Sequence, residues 1–120
     1  MDAPFGGSLE YCPEPVVNWK ERMRWRWYRL LPSQWKQLVE RQGGVCAMCF
    51  ENEPTDIDHY HAHGTDSQKP QDITLIRGAV CHRCNLVLGV YENPNCSLKQ
   101  THLIWLAETY LEKERPFANG

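Results

Sequence analysis

Nothing in these 120 residues approaches the roughly 18 consecutive apolar positions that a membrane-spanning helix needs. No basic stretch followed by an apolar one opens the chain, so no secretory signal is expected. Internal repeats and low-complexity tracts are absent as well. The expected product is one ordinary globular domain, since 42% of the residues are hydrophobic and 23% are charged. A large excess of positive charge is also missing. The formal net charge is −2, which argues mildly against a generic polyanion binder. Six cysteines without an export signal speak against a secreted disulfide framework. Four of them form two CxxC pairs, a pattern of metal binding in a reducing cytosol.

Charge is unevenly spread. Between Trp19 and Arg41 stand Lys20, Arg22, Arg24, Arg26, Arg29, Lys36 and Arg41 against only Glu21 and Glu40. A basic segment on an acidic chain is a footprint for phosphates, and equally the pattern of a solvated helix face. Residues 1–16 and 116–120 read as tails, 17–43 as a basic, Trp-rich helical segment, and 44–115 as the core with a C-terminal helix. A first helix is expected from Asn18, with Glu21 completing a capping box. Trp19, Met23, Trp27, Leu30 and Leu31 share a face expected to join the core. Arg22, Arg26 and Arg29, with Trp25 among them, share another that is suited to phosphate contact. Pro32 breaks the chain. Ser33 caps a second helix with Trp35, Leu38 and Val39 as its stripe, and Gly43-Gly44 ends it. Thr55–His61 and Ile73–Val80 are expected to form a hairpin, Ala62–Asp72 its loop, and Cys81–Val90 a helix. A last helix from Ser97, with Gln100 in its cap, carries Leu103, Leu106, Ala107 and Tyr110 and reads as a packing strut.

Cys46-x-x-Cys49 and Cys81-x-x-Cys84 are separated by 31 residues. Four thiolates on two tight knuckles suit tetrahedral zinc, and a closed four-sulfur shell leaves no open position, so the ion would be structural. Between the pairs lies Asp58-His59-Tyr60-His61, and Asn85 follows the last cysteine directly. Carboxylate and amide oxygens from Asp58 and Asn85 are hard ligands suited to magnesium or manganese. His59 would then serve as general base toward a water. Strict strand alternation puts Asp58 and His59 on opposite faces, and a twist or bulge would be needed to bring them to one pocket.

The segments Gln42-Gly43-Gly44-Val45-Cys46-Ala47-Met48-Cys49, Ile57-Asp58-His59-Tyr60-His61, Ile76-Arg77-Gly78-Ala79-Val80-Cys81, Cys84-Asn85 and Leu88-Gly89 together resemble the phage recombination endonuclease VII family of the HNH superfamily, from about Tyr28 to Leu111. The resemblance implies a small α+β protein with a ββα-metal core, flanked by N- and C-terminal helices, that hydrolyses phosphodiester bonds in DNA. It implies Cys46, Cys49, Cys81 and Cys84 as zinc ligands and Asp58 and Asn85 as ligands of a catalytic magnesium or manganese ion. It also implies His59 as general base, and His61 as an accessory group near the metal or phosphate. Arg77 joins Arg22, Arg26 and Arg29 as a candidate DNA contact, alongside its reading as a strand-surface residue. Two positions depart from the family pattern: Tyr60 stands where relatives often carry Asp, and Leu88 where some offer a carboxylate. A homodimer is what symmetric cutting of a four-way junction would call for, and the cytoplasm of a bacterium or phage-infected cell is the expected location. The competing reading is a non-catalytic zinc-ribbon module binding nucleic acid or protein.

Overall fold

The computed structural model describes residues 11–60, 72–92 and 102–118. Among them are four helices and a two-stranded antiparallel sheet. Helix α1 spans Trp19–Tyr28. Its cap is Asn18, whose side-chain oxygen accepts the Glu21 N–H at 2.9 Å, while the Glu21 carboxylate reaches back to the Val17 N–H at 2.8 Å. This satisfies two of the donors that a helix start leaves open. The helix stops at Arg29, which adopts the left-handed conformation at φ 55°. The Arg29 guanidinium then folds back to donate to the carbonyls of Trp25 and Arg26 at 3.1 and 3.2 Å.

The face expected to enter the core does so at Leu30 and leaves its tryptophans outside. Trp19 is 70% exposed and Trp27 is 37% exposed. Burial belongs to Tyr28 and Leu30, which join Leu38, Ile76 and Ala79 in one apolar cluster. Arg24 lies 3.7 Å from the ring centroid of Trp35 and thereby ties α1 to the second helix through a cation–π contact.

Helix α2, Pro32–Arg41, begins two residues earlier than Ser33 would dictate. Pro32 occupies the first helical position, where its missing N–H costs nothing, and Gln34 accepts the Leu31 N–H at 2.8 Å. Ser33 is inside the helix, and its N–H and hydroxyl both donate to the Glu14 carboxylate, so residue 14 is anchored. Gly43 and Gly44 carry φ near 80° and end the helix as expected. Gln42, just before them, does more than terminate. Its amide nitrogen donates to the carbonyls of Val45 and Ala79, and its oxygen accepts the Ala79 N–H at 2.9 Å, so the side chain pairs with the strand like a peptide group.

Strand β1, Asp56–His59, pairs with β2, Ile76–Val80, in the register Asp56↔Val80, Ile57↔Ala79, Asp58↔Gly78 and His59↔Ile76. The last step skips Arg77, a bulge that adds one residue to β2. Both strands are shorter than expected. Ile73–Leu75 winds into a 3-10 turn because the Asp72 carboxylate accepts the Thr74 N–H and hydroxyl. Residues 61–71 of the connecting loop lie outside the described residues, as do Ser97 and Gln100 of the expected final cap. Helix α3, His82–Tyr91, follows Cys81 directly, and helix α4, His102–Leu111, packs against it.

Two apolar clusters result. One gathers the four paired cysteines with Met48, Val80, Leu88, Leu106, Ala107 and Tyr110. The other joins Tyr28, Leu30, Leu38, Ile76 and Ala79, with Phe117 of the expected C-terminal tail packed against it. The hairpin lies between the two clusters and contributes to both.

Candidate metal centre and catalytic site

The first CxxC is a tight turn in which the Cys46 sulfur lies 3.4 and 3.5 Å from the backbone N–H groups of Met48 and Cys49. Phe50 completes it at φ 62°, and Lys113 from the end of α4 lies over the Phe50 ring and donates to the Ala47 carbonyl. The second CxxC straddles the start of α3. All four sulfurs are buried and lie within 4.8 Å of one another. A tetrahedral zinc with arms of about 2.3 Å sets its ligands about 3.8 Å apart, and the Sγ atoms of Cys49 and Cys81 are 4.0 Å apart.

The local field already favours negative charge on part of the set. Burial opposes ionisation at Cys49, yet the N–H groups of Asn52 and Glu51 bring its thiol down to about 7. Burial likewise opposes ionisation at Cys81, where Asn52 helps to lower the pKa through a side-chain contact at 3.4 Å. Cys46 and Cys84 are pushed up, first by burial. A soft divalent cation offsets that penalty by holding all four as thiolates, so the donor set fits zinc. Cys12 stands apart from this group, and Cys96 lies outside the described residues.

Beside this knuckle, Asp58 is 3% exposed and accepts three hydrogen bonds. Arg77 donates to it in bidentate fashion, Nε at 2.8 Å and Nη2 at 2.9 Å, and the Tyr110 hydroxyl donates at 2.7 Å. The bulge explains the first two bonds, since the residue it inserts into β2 is Arg77 itself. Gly78 explains the third: a Cβ there would lie 2.8 Å from the Tyr110 hydroxyl, so glycine gives the phenol its path. Arg77 turns its other edge to Glu92 at the end of α3, with two further bonds of 2.9 Å. The arginine is thus committed to two carboxylates. Tyr110 departs from its expected role as packing alone. Its hydroxyl meets a buried carboxylate, and burial, followed by the Asp58 charge, pushes its pKa strongly upward.

Asn85, on the first turn of α3, donates at 3.1 Å to Asp56. His82 Nδ1 meets the same Asp56 oxygen at 2.9 Å, and Thr55 donates to the other. Burial works against Asp56 ionisation, but these partners lower its pKa overall. The four-cysteine knuckle places Asn85 beside β1, where it bonds to Asp56, two residues upstream of Asp58. Asp56 was not among the expected site residues, although strand alternation places residues 56 and 58 on one side.

His59 is half-buried, its ring 5.7 Å from that of Tyr28 and tilted by 57°. His61 lies outside the described residues. Of the α1 arginines, Arg22 and Arg26 are exposed, whereas Arg29 caps its own helix and lies 5.2 Å from the Trp25 ring. Among the described residues no helix is long and apolar enough to cross a membrane.

No curated protein and no solved structure matches the chain significantly. The family model described as recombination endonuclease VII, however, matches residues 20–113, which include both cysteine pairs, Asp58, His59, Asn85 and Tyr110. The chain belongs to the recombination endonuclease VII family, a family of nucleases that cleave DNA.

Proposed function

We propose that this protein is an HNH-type DNA endonuclease that hydrolyses phosphodiester bonds with a divalent cation. The observation that carries the reading is the bulged strand end, where Asp58 is buried and held on two sides while its neighbour His59 stays half-buried and reachable. Two carboxylates lie on one side of β1. Asp56 and Asp58 share it, and the Asn85 amide touches the first of them, a donor chemistry that fits a hard ion. Asp58 and Asn85 would hold magnesium or manganese, which when bound supplies positive charge against the phosphate and the leaving oxygen.

The remaining work belongs to side chains. Neutral His59 accepts a proton from the attacking water, with its ring plane limited by Tyr28. Arg77 and Tyr110 fix the rotamer of Asp58 and act as positioning residues. His61 contacts the scissile phosphate. Zinc at the four cysteines keeps α3 against the hairpin and takes no part in the reaction. A bacterial or phage-infected cytoplasm, where thiols stay reduced, suits such a site.

The test is magnesium-dependent nicking of a supercoiled plasmid. His59→Ala is expected to lower the rate by a factor of about 10² or more, with bound zinc unchanged. Near-normal cutting by that variant overturns the assignment. DNA binding without nicking by the unaltered chain would favour a zinc-ribbon module instead.

A further inference from the structure

We propose that the groove between α1 and β1 is a stacking platform for an unpaired nucleotide of single-stranded DNA. The groove encloses about 180 Å³ and is lined by Trp19, Lys20, Met23, Trp27, Tyr28 and Ile57, among others. Trp19, Met23 and Trp27 recur four residues apart, so they form one ridge along α1. That ridge stays open to solvent, with Trp19 70% and Trp27 37% exposed. Indole rings are normally well buried, so a pair of them left open on one helix face needs an occupant.

Charge selects the occupant. Lys20 lines the groove, and the Arg26 guanidinium lies 5.4 Å from the Trp27 ring centroid. Across α1 as a whole, Lys20, Arg22, Arg24 and Arg26 face a single acidic residue, Glu21. Cations beside open aromatic faces suit a ligand that is both anionic and flat. A nucleotide is such a ligand, with its phosphate for the cations and its base for the ring. A duplex offers the ridge only base edges and backbone, whereas an unpaired base offers its face.

Position links the groove to the chemistry. Ile57 on its floor separates Asp56 from Asp58 along β1, and Tyr28, in its wall, is the ring packed against His59. A base held there brings its neighbouring phosphate toward His59. The inference rests on the nuclease reading for that last step and on the groove alone for the binding.

The experiment uses zinc-loaded protein without added magnesium, so that binding is read apart from cutting. A fluorescent oligothymidylate and a hairpin duplex of matched charge are titrated against the unaltered chain, Trp27→Ala, Trp19→Ala and Trp27→Phe. Both indoles are exposed, so folding should survive, and a urea melt checks it. The alanine variants are expected to bind the single strand roughly 5- to 150-fold more weakly, with duplex affinity and salt dependence unchanged. Trp27→Phe should recover most of the loss. Equal losses for strand and duplex, or none for either, would overturn the platform. So would a solution mass showing a dimer that the alanine variants abolish, since the ridge would then belong to a second copy. Absent plasmid nicking with the binding pattern intact would remove the nuclease reading and leave the platform standing.

Discussion

A single carboxylate shows how much chain is spent to place one group. Asp58 is removed from water, and the loss is offset by a bidentate guanidinium and a phenol, both donating to its oxygens. Tyr110 makes the cleaner probe, since replacing it with phenylalanine keeps the ring in the core and deletes only the hydroxyl. A hydrogen bond to a buried charged group contributes about 1.5–3 kcal/mol, so Tyr110→Phe should destabilise the fold by that amount in urea. If the phenol positions Asp58 for metal binding, cleavage should fall more than folding does at saturating substrate and recover partly at raised magnesium. A loss of stability with unaltered nicking would show that Tyr110 only packs. This residue was not legible beforehand. Helical spacing marked it as core, and nothing in one sequence says that its hydroxyl crosses from α4 to a carboxylate 52 positions away.

At the level of elements, the two knuckles and α3 form one mechanical unit. The hairpin's strands are only four and five residues long, too little to be stable alone, while α3 starts at the second cysteine pair itself. Structural zinc supplies on the order of 10 kcal/mol of folding free energy, comparable to the total stability of a small domain. Chelation with a strong ligand at neutral pH should therefore abolish cooperative unfolding and most near-ultraviolet signal, and added zinc should restore both. Retained cooperative melting with zinc shown by mass to be absent would overturn this. The four-cysteine cluster was legible from the cysteine spacing, and so were the cap at Asn18 and the stop at Gly43-Gly44, because each depends on local chemistry. Tertiary competition hid other features. Ser33 lost its capping role to Pro32 and Gln34, the Asp72 side chain turned the start of an expected strand into a 3-10 turn, and the bulge at Arg77 follows from a pairing register that no local pattern encodes. The Trp face of α1 misled for a similar reason. Periodicity identifies a face and does not say which surface covers it.

Across the whole molecule, the two apolar clusters meet at a hairpin that carries buried negative charge, and this sets a pH limit on the fold. Tyr28 anchors one cluster and Tyr110 the other. Burial first, and then the charges of Asp58 and Asp56, push the Tyr28 phenol up from 10.0 to about 12. Tyr110 is raised further by burial and by its bond to Asp58. Because both groups bind their protons more tightly folded than unfolded, their contribution is complete below pH 10 and is lost as pH rises toward the folded values. Each phenol that ionises only on unfolding should steepen the decline by about 1.4 kcal/mol per pH unit above pH 10. Urea stability measured from pH 8 to 11.5 should thus be flat and then fall. Tyr28→Phe is expected to start lower and decline less steeply, by about one proton's worth. Absorbance of ionised tyrosine should rise in two stages, the later one coinciding with loss of helix. Parallel stability curves for the variant and the unaltered chain would mean that Tyr28 titrates freely in the folded state, and that the charged hairpin does not reach the core it was taken to join.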